Sequence, residues 1–101
     1  MNDQTLERAV LAYLGKGRSA FPRHDEDAVH VVAAEADVDP DALVRTVVSL
    51  TDECLAVKID WSNTTLPEGG DEVERVMKAR HPELGAAALD ALGWAFTYNW
   101  R

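Results

Sequence analysis

Between Val32 and Val48 the chain reads VAAEADVDPDALVRTVV, and this stretch constrains the fold more than any other. An apolar helix ends at Ala36, a short acidic turn follows, and a second helix begins at Pro40. Asp39 before Pro40 marks that beginning. A carboxylate just ahead of a helix accepts from an early backbone N–H, and proline at the first helical position gives up a donor that has no intrahelical partner. Two apolar helices joined by so short a turn must pack on each other, and the rest of the chain has to cover what they leave open.

Ahead of this pair, Leu6, Ala9, Val10, Tyr13 and Leu14 recur at helical spacing and predict a helix over 4–14, capped by Asn2 or Asp3. Gly15 stops it. Gly15-Lys16-Gly17 lacks the spacing of a phosphate-binding loop and follows a helix, not a strand, so it reads as a helix-ending turn. Arg18 to Pro22 is a link with Phe21 as its expected core anchor. The second helix starts near Asp25, with Glu26 and Asp27 at the positive end of its dipole, and buries Val29, Val32, Ala33 and Ala36. The third runs from Pro40 to about Asp52. Its stripe of Leu43, Val47, Leu50 and Cys54 is widened by Val44, Val48 and Leu55, which implies packing on more than one side.

The apolar period then changes. Leu55, Val57, Ile59 and Trp61 alternate with Ala56, Lys58 and Asp60, which predicts a strand over 55–61. Ser62 to Gly70 is rich in turn formers and reads as a loop. A fourth helix is expected from Asp71, with Glu74 completing a D-x-x-E cap and Val73, Val76 and Met77 buried. His81-Pro82 breaks it, and a fifth, opened by Pro82, carries Leu84, Ala87, Ala88, Leu89 and Leu92 up to Gly93. In the tail, Phe96, Tyr98 and Trp100 alternate with Thr97 and Asn99, and a lone strand cannot satisfy its backbone groups. The expected fold is therefore mainly α (α+β), one domain over 1–101, with a small sheet pairing 55–61 with 94–100. The alternative is a fifth helix continuing through Phe96.

Ala33 and Ala36 as small crossing residues, Val38 in the turn, Asp39 as cap and Leu43 as buried anchor together resemble the helix-turn-helix of bacterial repressors. Asp37 stands where such turns usually carry glycine. With a helix before and a strand after, residues 1–66 are similar to a winged helix, and 71–101 would be a helical extension ending in the aromatic strand. The resemblance implies a helix that reads DNA. Of that helix's early exposed residues (Asp41, Ala42, Arg45, Thr46, Ser49), only Arg45 suits a base or phosphate, and the wing-like loop has no Lys or Arg.

Charge points the same way. Asp and Glu number 18 against 10 Lys and Arg, a net charge of −8, which repels phosphate backbones and anionic membranes at long range. The scarcity of lysine also fits a high-GC genome or a salt-adapted source. No apolar run is long enough to span a bilayer, no basic segment precedes an apolar block, and a single cysteine allows no internal disulfide, so the expected compartment is the cytoplasm. His24, Asp27 and His30 lack established metal-ligand spacing, Cys54 falls on an apolar stripe, and no catalytic motif is present. No cofactor, metal or catalysis is implied.

Trp61, Trp94, Phe96, Tyr98 and Trp100 hold five of the seven aromatic side chains, more than one small sheet can bury. The sequence thus reads as a small acidic interaction or regulatory module, an adaptor or inhibitor of a basic protein. Asp37, Asp39, Asp41 and Arg45 would carry the polar contact and Trp61, Trp94 and Trp100 the apolar one. The aromatic patch would also serve a symmetric dimer. The competing expectation is a winged-helix DNA-binding regulator.

Overall fold

The first helix starts where its cap puts it. Asn2 accepts the Thr5 N–H at 2.7 Å, α1 spans Asp3–Leu14, and Gly15 closes it in the left-handed region (φ 74°) with its N–H on the Leu11 carbonyl. The computed structural model describes residues 2–100. After α1 come α2 (Glu26–Ala36, capped by Asp25), α3 (Pro40–Leu55, capped by Asp39), a 3-10 turn at Trp61–Asn63, α4 (Leu66–Arg80) and α5 (Ala86–Asn99).

α1, α2 and α3 pack on one another, α5 lies against α1 and α3, and α4 packs on α5. With extents of 45 × 27 × 18 Å, the thin dimension holds two helix layers. One core runs through all five helices. Val10, Leu14, Val29, Leu43, Val47, Val73, Met77, Leu92 and Phe96 are fully sealed, each side chain stabilising by about 1.5–3 kcal/mol relative to exposure.

The expected sheet does not form: no strand occurs among the described residues. The alternation at 55–61 has another cause. After α3, residues 57–60 form neither helix nor strand, with Val57 buried and Ile59 and Trp61 half-buried against the core, while Lys58 and Asp60 are exposed. Period two reports a connecting segment with one covered side; it does not supply a second strand. The intended partner is helix: α5 continues to Asn99, where Phe96 and Trp100, four apart, share a helical face. Gly93 does not end α5, and the expected loop 62–70 is short: it closes at Thr65, and 66–70 are already α4. Thr65 and Glu68 form a reciprocal capping box (Thr65 N–H to Glu68 Oε1 2.9 Å, Glu68 N–H to Thr65 Oγ1 3.3 Å), so α4 starts five residues ahead of Asp71.

Phe21, expected as a core anchor, is 52% exposed. The α1–α2 link is fastened instead through its backbone. The Arg23 N–H bonds to the Leu14 carbonyl (2.8 Å), the Asp25 N–H to that of Tyr13 (3.0 Å), and His24 stacks on the Tyr13 ring at 5.2 Å. The last turn of α3 is clasped to the end of α4. Glu53 takes the His81 Nε2–H at 2.8 Å and Arg80 at 3.1 Å, while Glu83 lies 3.7 Å from the other His81 nitrogen.

Candidate interaction surface

Asp37, Asp39, Asp41 and Arg45 are all exposed, gathered at the α2–α3 turn and the first two turns of α3. Two of the acids are occupied by backbone duties. Asp37 adopts the left-handed conformation (φ 55°, ψ 49°) usually left to glycine. Its N–H and that of Val38 return to the carbonyls of Ala34 and Ala33, which closes α2 as a Schellman motif. Asp39 accepts the Asp41 N–H at 3.0 Å. Arg45 makes no ion pair or hydrogen bond to a described side chain.

The tryptophans divide. Trp61, Phe96 and Trp100 cluster, with centroids 6.2 Å apart for Trp61–Phe96, 5.6 Å for Trp61–Trp100 and 6.1 Å for Phe96–Trp100. Phe96 is sealed, Trp61 half-covered, and Trp100 49% exposed with Tyr98 beside it in sequence at 41%. Trp94 is elsewhere, under the Lys16 ammonium (5.1 Å to the ring), which also pairs with Asp90 at 3.2 Å. No hydrogen bond, ion pair or ring contact among the described residues joins the acidic turn to the aromatic cluster.

What holds the cluster is glycine. A Cβ on Gly69 would overlap the Trp61 ring, and one on Gly70 would come within 2.8 Å of the Thr97 methyl. The bare backbone of α4 is thus the floor on which Trp61 lies, and Trp61 in turn supports Trp100. The Trp61 indole N–H is buried without a hydrogen-bond partner among the described residues. Trp100 is exposed and at the same time held in place by ring contacts, a combination suited to an anchor that loses little freedom on binding.

Sequence reasoning missed the acids beside these rings. A groove of about 400 Å³ is lined by Lys58, Ile59, Asp60, Thr64, Glu68 and Glu72, adjoining Trp61 through Asp60 and Gly69 through Glu68. Asp60 accepts from the Ser62 hydroxyl (2.6 Å) and N–H (3.1 Å), and these bonds hold its carboxyl below the usual carboxylate range. Bonds from Thr65 do the same for Glu68, and Arg75 does so for Glu72. Arg75 pairs with Glu72, whereas Asp60 and Glu68, both also caps of backbone N–H groups, have no cationic partner among the described residues. The T-x-x-E signal at Thr65 was available to locate them; the Gly69-Gly70 pair that follows masked it.

Cys54 and His81 serve the packing of the helices. Cys54 is sealed, donates to the Leu92 carbonyl at 3.4 Å, and burial pushes its thiol up to about 12. Both ring nitrogens of His81 face carboxylates. Among the described residues, no group of three or more His, Cys, Asp or Glu is placed to hold a metal, and no helix is long and apolar enough to cross a membrane. No family model, curated protein or solved structure matches the chain.

Proposed function

We propose that this chain is a small non-enzymatic interaction module that docks a basic protein segment on its aromatic end. Trp100 is the anchor, Trp61 and Phe96 its support, and Asp60 and Glu68 the adjoining anions. The observation that carries this reading is an exposed but ring-locked tryptophan resting on Trp61, whose chain neighbour Asp60 shares a groove with Glu68 and is held, as Glu68 is, in a fixed orientation by hydrogen bonds. Aromatic anchors dominate interface energetics, and a net charge of −8 steers cationic partners inward. DNA reading suits this surface less well, since Arg45 shares the exposed side of α3 with Asp41 and Asp52.

Selection from a displayed random-peptide library tests the proposal. Enriched peptides should carry Lys or Arg next to an apolar residue. Trp100→Ala should weaken their binding, measured by calorimetry, by about 2 kcal/mol or roughly 30-fold. The double charge reversal Asp60→Lys/Glu68→Lys should also weaken it. Enrichment of neutral or acidic peptides, or equal binding by Trp100→Ala, would overturn it.

A further inference from the structure

We infer that the outer strip of α3 is a self-association surface whose occupant is a second copy of this chain, packed antiparallel about a two-fold axis. The strip is an open surface depression lined by Val44, Arg45, Val48, Ser49 and Asp52, all from α3. Val44 and Val48 are only half-covered by their own chain, while Arg45, Ser49 and Asp52 are exposed. These are the residues that make α3 wider in apolar surface than its own core needs. None of the chain's salt bridges among the described residues uses Arg45 or Asp52.

The charge order selects the partner. Arg45 and Asp52 are seven residues apart, two helical turns or about 10 Å along one side of the helix. An antiparallel copy whose two-fold axis passes between Val48 and Ser49 puts Arg45 of each copy opposite Asp52 of the other. Two identical ion pairs then flank a seam of valines. A uniformly basic or acidic partner would satisfy one of these charges and repel the other, whereas a second copy satisfies both. Ser49 at the crossing point is small enough for the two helices to approach at the usual 8–10 Å. Such a contact is isologous and closes at two copies. A single helix strip is small beside the roughly 800 Å² per partner of a stable complex, so the dimer is weak and dissociates on dilution. The inference uses none of the aromatic-end residues and stands or falls separately from the proposal above.

Sedimentation velocity over a dilution series up to about 1 mM should show wild type passing from monomer to dimer. Arg45→Asp and Asp52→Arg, both at exposed positions, should each remain monomeric. Mixed in equal amounts they should form a heterodimer, and the double variant Arg45→Asp/Asp52→Arg should dimerise again, because exchanging the signs preserves the complementarity. Circular dichroism confirms that each variant is folded. A wild type that stays monomeric throughout, single variants that dimerise as wild type does, or a mixture that fails to associate would overturn the inference.

Discussion

A single dihedral angle at Asp37 settles how α2 hands over to α3. The residue sits at φ 55°, where a Cβ meets its neighbouring carbonyl, and Asp tolerates that better than most non-glycine residues. Asp37→Gly should therefore raise stability by about 0.5 kcal/mol, and Asp37→Val should lower it by about 1 kcal/mol or more, both read from urea midpoints followed by circular dichroism. Equal stability of the three chains would show that the turn carries no strain. The turn was legible in the sequence as an acidic stretch between two helices. Asp39 was legible too, as the cap of α3 ahead of Pro40; that Asp37 would take the left-handed conformation itself was not, because nothing in a string of letters distinguishes it from an ordinary surface acid. Cys54 is the contrasting case: its place on an apolar stripe sufficed to mark it as buried.

At the scale of elements, helices were legible where apolar spacing and a cap agreed, as in α1 to α3. Where glycine interrupts α4 and α5 only the ends were lost: the start of α4 and the last turns of α5. Gly69 and Gly93 look like breakers in a string of letters, yet each lies inside a helix because another side chain occupies the space a Cβ would fill. The two sites differ in what crowds them. Gly69 faces the rigid Trp61 ring, so Gly69→Ala should cost about 1–3 kcal/mol despite alanine's better helix propensity. Gly93 faces only the Glu74 side chain, at 2.9–3.2 Å, and that side chain can swing away. Gly93→Ala should be neutral or stabilising by up to about 1 kcal/mol. Chemical denaturation of both variants checks the pair; a neutral Gly69→Ala would mean that Trp61 does not need its glycine floor. The mistaken strands arose similarly. Alternating aromatics at 96, 98 and 100 satisfy period two, and only the leucines and alanines upstream, continuing at helical spacing, decide against it.

Across the whole molecule, an excess of carboxylates makes acid the informative perturbation. Hydrogen bonding from His81, then from Arg80, holds Glu53 below its usual range and ties α3 to the end of α4. A depressed carboxylate contributes stability that is fully present above the unfolded value of about 4.5 and is lost as pH falls through the lower folded value. Glu53→Gln should accordingly be less stable than wild type near neutrality and should converge with it in acid. Urea titrations between about pH 3 and pH 7 follow the gap directly. A gap that stays constant over that range would remove the clasp from the acid response. This link between two distant segments was invisible in the sequence, where Glu53 and His81 are 28 positions apart and neither belongs to a motif.

The unpartnered Trp61 indole over its glycine floor has an optical consequence. An excited indole has an enlarged dipole, and emission moves to longer wavelength only where surrounding water can reorient about it. With its N–H shut away from solvent, half-covered Trp61 should emit to the blue of the more exposed Trp100 in contact with it. The native chain therefore carries, side by side and without any dye, a drier lamp and a wetter one, with Trp94 as a third set apart from them. Whatever covers the wetter lamp reports itself as a change of colour.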